Sequence, residues 1–294
     1  MPTDFHPMTA AELFDRTLYV FKKSFWMQIA YAAMLGVISS FGIGIFGVII
    51  AIALFGSGGG TFVGATIITA LILLWLAASS AGHILLARQA LYGHKAKIPV
   101  KQIPRIAIRV FFTLIAQVIA AIPYVSIMVI IALPFSAMVY VNIWVFVILI
   151  FIAVAGFGLY YNIFALAIAV SVFENKTFFG ALMRSWELIK GEFWRIAAVR
   201  LMWLLIAYAL TFSIQGALQL LALLIGSSPG LFGLNSTALV GLSGALSGFS
   251  ILLSFITAII AMPLDGVFSA TLYFNQRIKR EGLDIEIGLG RLRL

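Results

Sequence analysis

The chain has 294 residues, of which 63% are hydrophobic and 10% charged, and its formal net charge is +9. A water-soluble globular protein has about 25% charged residues, so this composition excludes a soluble enzyme, a disordered chain and a nucleic-acid-binding domain. The chain contains no cysteine, which excludes disulfides, thiol catalysis and thiolate metal sites.

Three long windows without Asp, Glu, Lys or Arg organise the chain. They have equal length and lie at 24–87, 110–173 and 201–264. A transmembrane helix needs about 20 apolar residues, so each window accommodates two spans and a connecting turn. Clusters of Gly, Pro, Asn and Ser predict these turns near the middle of the windows, at 56–60, 134–142 and 226–236.

The sequence therefore predicts an all-α, polytopic integral membrane protein with six transmembrane helices in three hairpins. The predicted spans lie roughly at 24–55, 61–92, 108–133, 143–173, 192–225 and 238–276. We expect one membrane domain over 1–294, composed of three units and a short cytoplasmic tail, at 8–92, 97–173, 176–280 and 281–294.

The distribution of basic residues predicts the orientation of the chain. The turns inside the three windows lack charge, whereas nearly all Lys and Arg residues lie in the segments between the windows. The positive-inside rule places those segments in the cytoplasm. We therefore expect a multi-pass protein of the bacterial plasma (inner) membrane with both termini cytoplasmic, which an even number of spans also requires.

Two short basic segments, 16–26 and 184–194, match each other in Arg, Lys, Phe and Trp, which indicates an internal repeat. Each copy, and a weaker third copy at 97–109, is predicted to be an amphipathic interfacial helix on the cytoplasmic side. The first begins with a capping-box pattern, Thr9 to Glu12. Its apolar face, expected to contact lipid, consists of Leu13, Phe14, Thr17, Leu18 and Phe21.

Basic side chains on these segments are candidates for contacts with lipid headgroups, which carry phosphate. They are Arg16, Lys22, Lys23, Lys101, Arg105, Arg109, Arg184, Lys190 and Arg195. The alternative is that basic and aromatic residues flank any helix that enters a membrane.

Three stretches resemble a known bacterial family. They read AAELFDRTLYVFKKSFW near the N-terminus, ALMRSWELIKGEFWRI in the middle and TLYFNQRIKREGLDIEI near the C-terminus. The chain resembles the membrane-domain family named after the membrane portion of glycerophosphodiester phosphodiesterase. In fused members of that family a soluble phosphodiesterase domain follows the membrane part. We expect that catalytic domain to be absent here, so the resemblance implies a membrane domain and no phosphodiesterase activity.

Polar residues inside predicted spans are costly and therefore candidates for function. His83, Asn162 and Asp265 lie at similar depths in the second helix of each hairpin, roughly 16–18 Å from the predicted cytoplasmic end. Arg200 is placed to reach Asp265 across the bundle, and Pro263 is expected to free backbone carbonyls. The alternatives are purely structural roles, or a sixth span that ends at Pro263 and leaves Asp265 at the interface.

Function is less constrained by the sequence than topology is. The histidines are His6, His83 and His94, and no HExxH, Walker-type or nucleophile-elbow motif is present. We therefore predict no cofactor, no metal and no nucleic acid. The leading hypothesis is a non-enzymatic membrane module that engages anionic lipid headgroups or a membrane partner, including a second copy of the chain. The alternatives are a transporter or permease-like protein that uses the polar layer, and an intramembrane lipid-modifying enzyme.

Overall fold

A computed structural model describes residues 6–56, 60–93, 97–136, 143–227 and 236–282. Within these ranges the chain is all-helical, without β-strands. The helices, in chain order, are α1 (Ala10–Gly56), α2 (Gly60–Leu91), α3 (Ile103–Ser136), α4 (Ile143–Asn162), α5 (Ala167–Phe173), α6 (Phe178–Ile189), α7 (Phe193–Ser227) and α8 (Ser236–Glu281). The centres of the predicted turns, at 57–59, 137–142 and 228–235, lie outside the described residues.

Among the described residues, three segments are long and apolar enough to cross a membrane, at Thr66–Leu91, Ile103–Ile130 and Ile150–Phe173. Each exceeds the about 20 residues that span a bilayer. Helices are favoured there because lipid offers no partner for backbone N–H and C=O groups. These segments indicate a membrane protein.

The helix boundaries differ from the prediction in two places. α1 continues without a break from Ala10 to Gly56, so the first basic segment is not a separate helix. The fourth predicted span is interrupted at 163–166, between α4 and α5. α8 continues through Pro263 to Glu281 as one helix; the alternative in which the sixth span ends at Pro263 stays a prediction.

The second basic segment is divided: residues 184–189 lie in a short separate helix, α6, residues 190–192 form a break, and Phe193 and Trp194 begin α7. Gly191, which lies in this break, corresponds to Lys23 in the first copy of the repeat. Glycine inside a helix is about 1 kcal/mol less favourable than alanine, which favours a break in the second copy. The aromatic pairs of the two copies nevertheless have the same geometry. Phe25–Trp26 and Phe193–Trp194 each pack edge-to-face with ring centroids 5.4 Å apart.

The third basic segment, 97–109, likewise does not form a separate helix. Lys101 lies in a turn before α3, while Arg105 and Arg109 lie in its first turns. α3 then continues to Ser136.

The start of α1 packs on protein, which corrects the prediction that its apolar face contacts lipid. Leu13 and Thr17 are buried, and the Thr17 hydroxyl lies 2.8 Å from that of Thr271 in α8. Leu18, by contrast, is exposed. The predicted capping box is confirmed, because the backbone N–H of Thr9 donates to the Glu12 carboxylate (2.8 Å) and the Glu12 N–H to the Thr9 hydroxyl (3.4 Å).

Helix α2 lies at the centre of the described fold, in contact with α1, α3, α5 and α8. Its buried positions include Ala77, Ala81, Ala87 and Ala90, and small side chains allow neighbouring helices to approach closely. The main hydrophobic core extends from Leu13 near the start of α1 to Ile278 near the end of α8.

Candidate functional site

A cavity of about 450 Å³ lies where α2, α3, α4, α5, α7 and α8 converge. Part of its wall is apolar, including Leu76, Leu204 and Ile260, and these three side chains are also exposed on the bundle surface. The polar lining residues are Ser79, Ser80, His83, Gln117, Tyr161, Arg200, Trp203, Tyr208, Thr257, Asp265 and Ser269. The cavity therefore combines charged groups with an apolar rim.

Arg200 is held on the α7 side of the cavity by groups from α4. Its Nη1 donates to Oδ1 of Asn162 at 3.1 Å, and its guanidinium lies over the ring of Tyr161, 5.8 Å from the centroid. Asn162 in turn donates to the carbonyl of Gly158 at 2.8 Å. Because a guanidinium carries five N–H donors, this arrangement leaves donors of Arg200 for a further acceptor.

Asp265 lies on the α8 wall, where the side chains of Trp203 and Arg200 are its electrostatic neighbours. The Trp203 ring stacks on Phe268 with centroids 4.5 Å apart, which fixes its direction. Asp265 itself is exposed. Although Arg200 and Asp265 line the same cavity, the ion pairs found among the described residues do not join them. The two charges are therefore electrostatic neighbours in the cavity without the direct ion pair that the prediction suggested.

His83 lines the cavity from α2 and is buried. Gln28 of α1 donates through Nε2 to the His83 carbonyl at 3.2 Å, and its Oε1 lies 2.6 Å from His83 Nδ1. Because an amide oxygen only accepts, we infer that Nδ1 carries the proton. Nε2 is then an acceptor, and it is buried without a hydrogen-bond partner among the described residues. Most buried polar atoms are paired, so this atom is unusual.

The interruption at 163–166 contributes backbone to the cavity, through Phe164 and Ala165. Gln117 of α3 donates to the Phe164 carbonyl at 3.1 Å. Ser185 of α6 donates to the Ile163 carbonyl at 3.2 Å, and its hydroxyl accepts from the Leu166 N–H at 3.1 Å. Non-helical backbone at membrane depth occurs where protein buries it or where it lines a cavity, and this segment meets both conditions.

The structure thus brings all members of the predicted polar layer together. His83, Arg200 and Asp265 line the cavity, and Asn162 binds Arg200. The sequence prediction did not include Gln117, Tyr161 or Trp203. Gln117 was detectable as an amide inside an apolar window, whereas aromatic residues are too common in this chain to single out two of them.

Among the candidate headgroup contacts, Arg184 is engaged inside the protein. Its guanidinium donates to Glu174 at 2.9 Å and binds Glu281 and Glu187. Burial opposes the charge on Arg184, but the hydrogen bonds to Glu174 and Glu281 raise the pKa of this side chain above its usual range. Arg184 therefore crosslinks α6 to the end of α8, and its predicted contact with a lipid headgroup stays a prediction.

Other predicted headgroup contacts fall into two groups. Arg195 lies 3.7 Å from Glu192 in an ion pair that also involves Lys279 at 3.1 Å. Lys23 donates to the carbonyl of Ala90 at 3.1 Å. The remaining residues enter no ion pair among the described residues, and they are Arg16, Lys22, Lys101, Arg105, Arg109 and Lys190.

Lys101, Arg105 and Arg109 line a second cleft, of about 380 Å³, together with Arg88 and Asn175. Arg88 lies near the end of α2 and packs over the ring of Phe173 at 5.6 Å. Arg109 donates to the side-chain oxygen of Asn175. The sequence prediction recognised the three residues before and within α3 but not Arg88, which α2 brings to the same place.

Comparison with protein families gives one match, to a domain of unknown function (DUF8558), over residues 61–261. The match covers more than half of the chain. The chain belongs to the DUF8558 family. No curated protein and no solved structure matches it.

The DUF8558 region contains most of both clefts. It includes His83, Asn162 and Arg200, while Asp265 lies just beyond its last residue. The DUF8558 match carries no link to the glycerophosphodiester phosphodiesterase membrane domain, so that resemblance stays a prediction.

Proposed function

We propose that this DUF8558 member is a non-enzymatic integral membrane protein that binds an amphiphile with a zwitterionic headgroup in the 450 Å³ cavity. The observation that carries the proposal is the pair of opposite charges, Arg200 and Asp265, which line one cavity from α7 and α8 and form no ion pair with each other. Intramembrane ionisable residues are costly, and they mark functional sites by default.

The charges of the cavity match the two charges of a phosphoethanolamine or phosphocholine headgroup. Arg200 uses one nitrogen on Asn162, so further N–H donors remain for a phosphate oxygen. Asp265 lines the same cavity, and a carboxylate offers acceptor lone pairs to an ammonium group. A ligand with both charges offsets the cost of holding each protein charge away from water.

The apolar rim suits the hydrocarbon part of such a ligand. Leu204 is 43% exposed and Ile260 is 40% exposed, although both line the cavity. The cavity therefore opens on the side of the bundle rather than being closed by these side chains. Its volume lies within the about 300–1,000 Å³ of known ligand pockets, so it accommodates a headgroup while the chains extend along the helices.

The proposed membrane arrangement is six spans in three hairpins, with both termini on the cytoplasmic side of a bacterial plasma membrane. Contacts between successive helices support it, since α1 packs on α2, α3 on α4, and α7 on α8. The basic residues at the ends of α2 and α8 support the orientation. In this arrangement the cavity opens toward lipid.

Binding of defined lipids to charge variants tests this proposal. Native mass spectrometry of the purified full chain measures retention of phosphatidylethanolamine and phosphatidylglycerol by wild type, Asp265→Asn and Arg200→Gln. A hydrogen bond to a charged group is worth about 1.5–3 kcal/mol, so we expect Asp265→Asn to weaken phosphatidylethanolamine binding by about 10- to 100-fold.

The matched control is Glu187→Gln, which makes the same acid-to-amide change at an exposed position outside the cavity. We expect it to bind phosphatidylethanolamine like wild type. If folded Asp265→Asn retains this lipid as well as Glu187→Gln does, Asp265 does not bind the headgroup and the proposal fails.

Transport of the same ligand is a second candidate, favoured by the helix interruption at 163–166. Discontinuous helices that line a central site are typical of secondary transporters. Reconstituted vesicles carrying fluorescent phosphatidylethanolamine measure its movement between leaflets. A rate that equals that of protein-free vesicles would leave only the binding role.

A further inference from the structure

We propose that the second cleft, lined by Arg88, Lys101, Arg105, Arg109 and Asn175, binds a phosphate group. We call it the basic cleft. It is separate from the cavity at Arg200 and does not depend on the function proposed for that cavity. The ligand is either the headgroup phosphate of an anionic lipid or a phosphate-bearing solute, and the two share the chemistry that the cleft recognises.

The distribution of acidic partners sets this cleft apart from the other basic regions. Glu174 and Glu281 neutralise Arg184, and Glu192 neutralises Lys279 and Arg195. The four cations of the basic cleft take part in no ion pair found in the described parts of the chain, and its lining contains no acidic residue. Like charges repel when they are gathered in one place, so an anion would stabilise this arrangement.

The geometry of the cleft is built by three separate elements. Arg88 comes from the last turn of α2 and is positioned by the rings of Tyr92 (5.9 Å) and Phe173 (5.6 Å). Arg109 comes from α3 and is held by Asn175, whose backbone adopts a left-handed conformation (φ 57°). Asparagine tolerates this conformation better than most residues. The cations are therefore oriented by the fold.

The position of the cleft matches the depth of lipid phosphates. Arg88 lies near the end of the candidate span Thr66–Leu91, and Arg105 near the start of Ile103–Ile130. Asn175 follows the end of Ile150–Phe173 by two residues. All three candidate spans thus end at this cleft, where a headgroup would lie. A water molecule takes about 30 Å³ of liquid volume, so about 380 Å³ holds a phosphate group with hydration water.

The test compares two double variants that remove equal charge. Arg105→Gln/Arg109→Gln changes the cleft, and Lys22→Gln/Lys190→Gln changes exposed residues outside it. Phosphatidylglycerol binding to the full chain in neutral detergent is measured by native mass spectrometry. Each basic residue near anionic lipid contributes about 1 kcal/mol, so the cleft variant should bind about 30-fold more weakly. The control variant should bind like wild type.

Two further measurements keep the result interpretable. Arg109→Lys preserves the charge but loses the planar fork that binds phosphate through two hydrogen bonds, so we expect weaker binding at unchanged net charge. If the double variant does not fold, Arg109→Lys still tests the cleft. Glu187→Gln, an exposed change outside both the cavity and the basic cleft, should leave phosphatidylglycerol binding unchanged.

Inorganic phosphate identifies the source of the ligand. If it displaces phosphatidylglycerol from wild type, the cleft accepts free phosphate; if only the lipid binds, the cleft is a headgroup site. Either outcome supports a phosphate site. Equal weakening in both double variants, or no weakening in the cleft variant, would overturn the proposal, because binding would then reflect overall charge or another surface.

Discussion

Gly266 allows α8 to approach α2 at the wall of the cavity. A Cβ atom at this position would lie 2.6 Å from the Cβ of His83 and 3.6 Å from its backbone carbon. Carbon atoms in contact are normally about 3.5–4.0 Å apart. Because the obstructing atom is attached to the backbone, it has no rotamer that avoids the contact. Gly266→Ala must therefore separate the two helices by about 1 Å.

The net effect of Gly266→Ala is a balance of two contributions. Alanine stabilises a helix by about 1 kcal/mol relative to glycine. Overpacking a close interface costs about 1–3 kcal/mol, and more where backbones must move. Val267 and Phe268 are buried beside the contact, so the separation also weakens their packing. We expect the free energy of unfolding to fall by about 1–2 kcal/mol.

The control for this substitution is Gly158→Ala in α4, where a Cβ would meet no atom within 4 Å. We expect no loss of stability there. Unfolding titrations of both variants in the same mixed micelles measure the difference. His83→Ala should not relieve the cost of Gly266→Ala, because its Cβ remains, whereas His83→Gly should relieve part of it. Equal stability of Gly266→Ala and Gly158→Ala would refute the close approach of α2 and α8.

Two other predictions concern how α6 is attached to the bundle. Ser185→Ala removes both hydrogen bonds to the 163–166 segment, at Ile163 and Leu166. We expect the free energy of unfolding in the same titration to fall by about 1–3 kcal/mol, because these backbone groups lose their partner. An unchanged free energy of unfolding would show that other groups satisfy them. Partial burial opposes ionisation of Glu281, but hydrogen bonds from Arg277 and Arg184 outweigh it and lower the pKa of that carboxyl. The ionised Glu281 therefore stabilises the folded protein fully above the ordinary carboxyl pKa. This stabilisation is lost as the pH falls through the lowered pKa of the folded state. The difference in melting temperature between wild type and Glu281→Gln should shrink on acidification, and a constant difference would contradict this assignment.

Helical structure and the membrane character of the chain were predictable from the sequence. Long apolar windows leave the backbone no solvent partner, and helices satisfy backbone groups within each segment. The capping box at Thr9 was predictable because its hydrogen bonds are local. The residues of the cavity were partly predictable because charged and amide side chains are rare in such windows, and helical rise predicted similar depths for His83, Asn162 and Asp265.

Only the tertiary structure decided which of those residues are in contact, and which basic side chains pair with an acid. Arg184 and Arg105 look alike as basic residues beside apolar windows, yet Arg184 binds Glu174 and Glu281, whereas Arg105 lines a cleft with Arg88. The interruption at 163–166 also has no local signal, because its partners Gln117 and Ser185 come from other helices. Local sequence determines helix formation through short-range hydrogen bonds, but charge pairing and cavities depend on side chains that are distant along the chain.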